Sequence, residues 1–211
     1  MKVIGIDPGY ERLGLAIIEH DHGRPDQLLY STCLTTAAGQ PFPVRLYQLA
    51  NQLEKILLEY RPEILVLEMA VDRPGDMDYL TNLAPCKIGV VTGIGPVHLE
   101  FFKTLDRIVR EKSVMISHLD KNGWAILNCD NEYVAEMDKL TRARLITYGI
   151  INNNAEVKAS RVVVSQNENN KISGLSFKLS FKGSTVPVLL PNILGEHLIY
   201  AALSAVAVGQ V

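Results

Sequence analysis

The apolar and polar positions of the first seventy residues predict a small set of strands and one helix. Runs of β-branched or alternating apolar residues bounded by Gly, Pro and Asp indicate strands, and three such runs occur here: "KVIGID", "LGLAIIE" and "QLLYSTCLTT". From Val44 to Tyr60 the apolar residues recur at helical spacing, and Arg61-Pro62 ends the predicted helix. "EILVLE" is an uninterrupted apolar run, so we expect a strand that is buried on both faces, as in a parallel sheet.

The rest of the chain first alternates predicted strands and helices, and then predicts three short strands before a final helix. "GDMDYLTNLAP" predicts a short helix, and "LEFFKTLDRIVREKSVMI" predicts one long amphipathic helix. A helix is also expected through "EYVAEMDKL" and another through the terminal "GEHLIYAALSAVAVG". The remaining apolar runs predict strands, the last three of them short, alternating and joined by polar turns: "KIGVVTGI", "GWAILN", "ARLITYGI", "KASRVVVS", "GLSFKLSF" and "TVPVLL".

This order of elements predicts an α/β fold. We expect a mostly parallel central sheet flanked by helices, with antiparallel strands at the N-terminal edge and near the C-terminus. We further expect the strands of both halves of the chain to join one merged sheet. A length of 211 residues suits one large domain or two small ones.

Composition and charge narrow the class of protein. Hydrophobic residues make up 47% of the chain and charged residues 21%, which is typical of a globular protein. The net charge is −2, and up to Glu68 six Lys and Arg face nine Asp and Glu. Neither half carries the basic excess of a strong nucleic-acid binder, which weakens a DNA-binding role without excluding it.

The cysteines and the hydropathy pattern suggest the compartment. Cys33, Cys86 and Cys129 are scattered and form no C-x-x-C pair, which argues against a disulfide framework and against a thiolate zinc site. A reducing, cytoplasmic location fits this pattern. No run approaches the roughly 18 apolar residues that a membrane span requires, so no membrane partner is expected.

Two carboxylates stand at the ends of predicted strands. Asp7 closes the first strand in "GIDPGY", and Glu68 closes the fourth in "VLE". If these strands are parallel neighbours, the two carboxylates face each other at the sheet edge, where oxygen ligands hold hard ions such as Mg²⁺. The alternative is that Asp7 only caps a turn.

Two long stretches of the first 68 residues resemble a nuclease family. "IGIDPGYERLGLAII" and "TTAAGQPFPVRLYQLANQLEKILLEYRPEILVLE" are similar to the start of the RuvC Holliday-junction resolvases. The resemblance implies an RNase H-like fold for residues 1–68, junction DNA as substrate, and Asp7 and Glu68 as catalytic, metal-binding acids in two-metal phosphodiester hydrolysis. The further acids and the DNA-contacting middle region of that family are not recognisable.

Residues 67–211 resemble a second family. The similarity is carried by "VLEMAVDRPGDMDYLTNLAPCKIGVVTGIGPVHLEFFKTLDRIVREKS", "GWAILNCDNEYVAEM", "LITYGI" and "GEHLIYAALSAVAVG". These stretches look like the central domain of the Mur ligases, in particular those that add D-alanyl-D-alanine in peptidoglycan synthesis. The resemblance implies ATP and a UDP-MurNAc-peptide as partners.

The ligase resemblance also implies residue roles. Glu68 is similar to the carboxylate that holds the Mg²⁺ bridging the ATP phosphates, and His98 to a ligand of a second Mg²⁺. Lys112 is similar to the lysine that these enzymes carbamylate, and Asn128 and Asp130 to positions near the nucleotide base. The structural alternatives are that Lys112 is a solvated helix lysine, His98 a turn histidine and Asn128 a strand-end cap.

One expected motif is missing. Mur ligases bind ATP through a Gly-rich loop ending in Gly-Lys-Thr/Ser, whose amides and lysine hold the phosphates. No G-x-x-x-x-G-K-[ST] stretch occurs in the sequence. ATP binding is therefore doubtful, and we expect it to be weak or undetectable.

The sequence thus leaves three hypotheses open. The first is a Mur-ligase-like segment that retains a divalent-metal site but is catalytically incomplete, fused within "ILVLE" to a RuvC-like N-terminus. The second is a Mg²⁺-dependent junction endonuclease, and the third is an inactive chimera. If Asp7 occupies the place of the missing phosphate loop, Asp7, Glu68 and His98 converge on one Mg²⁺ or Mn²⁺ site.

Overall fold

The structure is a computed structural model that describes residues 1–9, 12–97, 99–166 and 171–211. These residues form two compact units, Met1–Ala70 and Val71–Val211. Each unit has its own hydrogen-bonded sheet, one of four strands and one of six. The expectation of one merged sheet is therefore wrong. The α/β class, with a parallel centre and antiparallel strands near both ends of the chain, is confirmed.

The first unit contains four strands and one helix, all of which the sequence pattern predicts. The elements are β1 (Lys2–Pro8), β2 (Arg12–Glu19), β3 (Gln27–Thr35), α1 (Phe42–Tyr60) and β4 (Ile64–Leu67). The strand order is β3-β2-β1-β4, in which β1 and β4 are parallel and the other pairs are antiparallel. The sheet and α1 enclose a core of apolar side chains: Ile4, Leu15, Ile17, Leu34 and Ile56.

Strand β4 is less buried than its sequence suggests. Ile64, Leu65 and Val66 are 42%, 54% and 55% exposed, so the prediction of a strand buried on both faces is wrong. Within the part of the chain that the structure describes, β4 pairs with β1 alone and stands at the edge of the sheet. An apolar run therefore identified the strand correctly but not its position in the sheet.

The second unit contains the remaining six strands and five helices. The strand order is β10-β9-β8-β7-β6-β5, parallel from β5 to β8 and antiparallel from β8 to β10. A 3₁₀ helix, Glu136–Leu140, follows α5 directly. The elements are α2 (Asp76–Leu83), β5 (Ile88–Val91), α3 (Leu99–Phe102), α4 (Leu105–Ser117), β6 (Trp124–Asn128), α5 (Glu132–Ala135), β7 (Arg144–Gly149), β8 (Val157–Gln166), β9 (Ile172–Phe181), β10 (Ser184–Pro191) and α6 (His197–Val208).

The long helix predicted between residues 99 and 116 is two helices, α3 and α4. Lys103 adopts a left-handed backbone conformation with φ of 67°, which interrupts helical hydrogen bonding. Thr104 then caps α4, because its hydroxyl accepts a hydrogen bond from the amide of Arg107. The apolar periodicity continues across this break, so periodicity alone did not reveal it.

Helix α6 covers one face of the six-stranded sheet. Ile199, Leu203 and Ala207 are fully buried and pack in one cluster with Ile126 of β6 and Ile146 of β7. This packing fixes α6 against the parallel part of the sheet. None of the helices in the described ranges is both long and apolar enough for a bilayer crossing.

Candidate functional site

The parallel strands β5, β6 and β7 end at the same side of the second sheet. We call the residues that follow them, 92–97, 129–131 and 150–155, the carboxyl edge. In open α/β sheets, ligands bind outside the carboxyl ends of the strands, where the loops diverge. The carboxyl edge is therefore the candidate functional site of the second unit.

Two asparagines hold the loop after β5 in place. The side-chain amide of Asn128 donates to the carbonyl of Thr92 at 2.9 Å, and that of Asn131 donates to the carbonyl of Ile94 at 3.0 Å. The Asn131 side-chain oxygen also accepts from the amide of Val134 and so caps α5. Sequence reasoning missed Asn131, although an asparagine before "EYVA" is a helix-start signal.

Asp130 connects the loop after β7 to helix α6. Its carboxylate accepts hydrogen bonds from the backbone amides of Ile150 at 2.5 Å, Ile151 at 2.9 Å and Asn152 at 2.7 Å. It also accepts from the Tyr200 hydroxyl at 3.0 Å. Asp130, in the turn after β6, therefore orders both the loop after β7 and the start of α6.

These contacts determine the charge of the network. Burial alone raises the pKa of Asp130, but the amides of Ile151, Ile150 and Asn152 and the Tyr200 hydroxyl favour the charged form and lower that pKa overall. Burial, followed by the hydrogen bond to the carboxylate, raises the pKa of Tyr200 to about 12. At neutral pH the pair is therefore an anionic acceptor and a neutral donor.

Gly149, the residue before this loop, is tightly packed against the Asp130 carboxylate. A Cβ atom at Gly149 would lie 2.8 Å from Oδ1 of Asp130, so a side chain at this position would displace the carboxylate. Tyr148, the preceding residue, is fully buried, and burial raises the pKa of its hydroxyl. Among the described residues, that hydroxyl has no hydrogen-bond partner.

Asn128 and Asp130, the predicted nucleotide contacts, both bind groups within the chain. Asn128 is only 7% exposed, and both ends of its amide are engaged, since its oxygen accepts from the amide of Asp130 at 3.0 Å. The Asp130 carboxylate has four donors of its own. Both side chains position loops of the carboxyl edge, and direct contact with a nucleotide stays a prediction.

Helix α4 carries Lys112 and a carboxylate that sequence reasoning missed. Lys112 is half-buried, and this burial lowers its pKa. The neighbouring Glu111 is only 8% exposed and accepts hydrogen bonds from the amides of Gly75, at 2.9 Å to Oε2, and Met77, at 2.7 Å to Oε1. Glu111 thereby caps α2, whose own N-cap residue is a glycine without a capping side chain.

In the first unit, Asp7 and Glu68 stand at adjacent strand ends, as predicted. Ile6 of β1 lies opposite Leu67 of β4 in parallel register, and the amide of Glu68 donates to the carbonyl of Ile6 at 3.0 Å. Ile6 packs against the core that the sheet forms with α1. Because side chains alternate along a strand, the carboxylates of Asp7 and Glu68 lie on the opposite face of the sheet. Both carboxylates are exposed.

The third predicted metal ligand, His98, lies outside the described residues. Within the described ranges, no three His, Cys, Asp or Glu side chains are grouped as a metal site requires. The predicted three-residue site formed by Asp7, Glu68 and His98 therefore stays a prediction, and the structure supports the pairing of the two carboxylates only.

Comparison with a family model clarifies the relation between the two resemblances. The model of the Mur ligase middle domain matches residues 28–209. This range includes α1, β4 and all but the first residue of β3, which the sequence resemblance assigned to the resolvase-like part. The predicted fusion point at residues 67–68, and with it the chimera, is not confirmed.

Two curated relatives are UDP-N-acetylmuramoyl-peptide ligases. The UDP-N-acetylmuramoyl-L-alanyl-D-glutamate--2,6-diaminopimelate ligase of Chlamydia caviae is 30% identical over 160 residues, covering 76% of this chain and 29% of the relative. The UDP-N-acetylmuramoyl-tripeptide--D-alanyl-D-alanine ligase of Mycobacterium bovis is 32% identical over 148 residues, covering 70% of this chain and 28% of the relative. The chain thus spans less than a third of either relative.

Solved structures agree at the level of the fold. MurF ligase from Thermotoga maritima, in complex with ADP, superposes with a TM-score of 0.61 at 25% identity, over 71% of this chain and 33% of that one. MurF from Acinetobacter baumannii gives a TM-score of 0.61 at 23% identity over 71% of this chain and 31% of that one. Since the family model matches most of the sequence, residues 28–209, the chain belongs to the Mur ligase middle-domain family.

Proposed function

We propose that the chain acts as the middle domain of an ATP-dependent ligase that adds D-alanyl-D-alanine to a UDP-MurNAc-peptide in peptidoglycan synthesis. The observation that carries the proposal is the carboxyl edge, where Asn128 and Asn131 fix the loop after β5. The names of the curated relatives support the reaction class. A cytoplasmic location stays a prediction from the scattered cysteines.

Nucleotide binding is part of this proposal. The sequence contains no Gly-Lys-Thr/Ser phosphate loop, but the doubt about ATP gains no support from the comparisons, because a structural relative was solved with ADP. In our proposal the carboxyl edge supplies the binding surface, and Asn128, Asn131 and Asp130 position its loops. A surface whose loops are already held in place loses less conformational entropy when a ligand binds.

Lys112 and a divalent ion complete the proposal. A half-buried lysine whose pKa is lowered presents more neutral amine, the form that reacts with carbon dioxide to give an anionic carbamate and a proton, which is released to water. A carbamate offers oxygen atoms, which are the ligands that Mg²⁺ prefers. When bound, Mg²⁺ would neutralise phosphate charge.

Calorimetry with Mg-ADP tests the nucleotide proposal. We expect the chain to bind Mg-ADP with a dissociation constant below about 1 mM, which corresponds to about 4 kcal/mol. Asn131→Ala removes the support of Ile94 and the cap of α5, and two lost hydrogen bonds of about 1 kcal/mol each should weaken binding at least about tenfold.

The matched control is Asn82→Ala, because Asn82 is an exposed residue whose side-chain amide donates to the carbonyl of Asp78 in the same helix, α2. Its affinity for Mg-ADP should equal that of the unchanged protein. Absence of binding at millimolar nucleotide, or equal affinity in Asn131→Ala with an unchanged circular dichroism spectrum, would contradict the proposal.

Metal binding by the first unit is a separate prediction. Mn²⁺ or Mg²⁺ held by Asp7 and Glu68 should raise the melting temperature by about 5 °C when the ion concentration is about ten times the dissociation constant of this pair for the ion. Glu68→Ala should remove this rise, whereas Glu54→Gln, a change on the exposed surface of α1, should preserve it. Equal melting temperatures with and without metal in the unchanged protein would show that the pair does not bind the ion.

The adjacency of Asp7 and Glu68 is also the one structural observation that favours a resolvase-like nuclease. The family match and the relatives give junction DNA no support. Cleavage of a four-way DNA junction by the chain, lost in Asp7→Asn, would favour this alternative, and the absence of cleavage in Mn²⁺ would end it.

A further inference from the structure

The turn between β2 and β3 carries a His-x-His pair followed by an aspartate. His20 and His22 lie with their ring centroids 5.1 Å apart and their planes at 83°. Nδ1 of His20 lies 2.7 Å from Oδ1 of Asp26. These residues belong neither to the carboxyl edge nor to the Asp7 and Glu68 pair.

The contact with Asp26 determines which nitrogen of His20 is available. A neutral imidazole that donates Nδ1–H to a carboxylate keeps its lone pair on Nε2. In metal sites, a carboxylate that accepts the proton of one ring nitrogen commonly orients a histidine so that the other nitrogen binds the metal. With its Nδ1 proton directed to Asp26, His20 has Nε2 as the nitrogen available to a metal ion.

The separation of the two rings suits a shared ion. With a metal–nitrogen distance of about 2.1 Å, a ring centroid lies about 3.2 Å from the metal, and two rings at a tetrahedral angle have centroids about 5 Å apart. The observed 5.1 Å agrees with this value.

We propose that His20 and His22 bind a transition-metal ion such as Zn²⁺, with Asp26 as the positioning residue. Imidazole suits Zn²⁺, Cu²⁺ and Ni²⁺, whereas Mg²⁺ prefers oxygen ligands. No third protein ligand completes the group among the residues described, so water occupies the other positions. Nearby Asp21 is paired with Arg24 at 3.6 Å. The His20 side chain is 38% exposed, which gives the ion access.

Titration of the full chain with ZnCl₂ tests the site, with any purification tag removed. Calorimetry should give one ion per chain, and ¹H–¹⁵N spectra of the imidazoles should show shifts for His20 and His22. His20→Gln and His22→Gln should each abolish the calorimetric signal. Asp26→Asn should weaken binding by about ten- to a hundredfold while the two imidazole shifts persist at saturation.

Two variants control for other zinc ligands. His118→Gln removes a histidine of the second unit whose Nε2 lies 3.4 Å from Asp78, and Cys33→Ser removes an exposed thiol. Both should bind Zn²⁺ like the unchanged protein. Absence of Zn²⁺ binding, or equal affinity in His20→Gln and His22→Gln, would overturn the proposal, and unchanged affinity in Asp26→Asn would overturn the positioning role. Neither result depends on ligase function.

Discussion

Asp130→Ala is expected to lower the free energy of unfolding of the second unit by about 3 kcal/mol or more. The substitution leaves three backbone amides and the Tyr200 hydroxyl without their acceptor, and a hydrogen bond to a charged group contributes about 1.5–3 kcal/mol. Urea unfolding followed by the fluorescence of Trp124, the sole tryptophan, measures this loss, because Trp124 lies in β6 of the same unit.

Three control variants separate the network from general surface effects. Tyr200→Phe removes one of the four donors and should cost about 1.5 kcal/mol. Tyr148→Phe removes a buried hydroxyl that has no partner among the described residues, so stability should be unchanged or slightly higher. Asp120→Asn changes an exposed carboxylate with a single amide donor and should have little effect. A loss below about 0.5 kcal/mol in Asp130→Ala would contradict the network's role.

The same network predicts a pH dependence. The pKa of Asp130 in the folded protein is lowered, so its stabilisation is fully present above the unfolded value of about 3.9. It is lost as the pH falls through the folded pKa. Asp130→Asn, which cannot titrate, should therefore show a smaller loss of stability between pH 5 and acid than the unchanged protein, in the same Trp124 assay.

Glu111→Ala is expected to destabilise the second unit by about 2–3 kcal/mol. It leaves the amides of Gly75 and Met77 without the buried carboxylate that caps α2. The Trp124 unfolding assay gives the free energy, and faster amide hydrogen exchange at residues 75–78 should locate the effect at the start of α2.

Two substitutions calibrate this result. Glu111→Gln keeps one acceptor oxygen and should lose less than Glu111→Ala. Glu156→Gln alters an exposed carboxylate of the same unit and should be close to neutral. If the amides of residues 75–78 exchange no faster in Glu111→Ala than in the unchanged protein, α2 does not depend on this cap.

The sequence predicted the elements well because local patterns determine them. The ten strands of the described residues were all predicted, since each is a β-branched or alternating run between turn residues. The break between α3 and α4 was missed because it depends on the left-handed Lys103 and the cap by Thr104, which do not interrupt apolar periodicity. The exposure of β4 was missed because a strand's position in a sheet depends on pairing, not on its own residues.

The candidate site was predictable only in part. The adjacency of Asp7 and Glu68 followed from two strand ends and the assumption of parallel pairing. By contrast, Glu111 reaches the amide of Gly75 over 36 positions, and Tyr200 reaches Asp130 over 70. No local pattern encodes such distant contacts, so the partners of Asp130 and the cap of α2 required the three-dimensional structure.

The packing of α6 also has a consequence for synthesis on the ribosome. Every residue of the first unit's core lies before Leu67, so that core can close while the rest of the chain is still being made. The second unit cannot, because Ile199, Leu203 and Ala207 of α6 cover β6 and β7. The nascent chain therefore carries an open apolar sheet face until α6 emerges, and this interval is when chaperones would bind it.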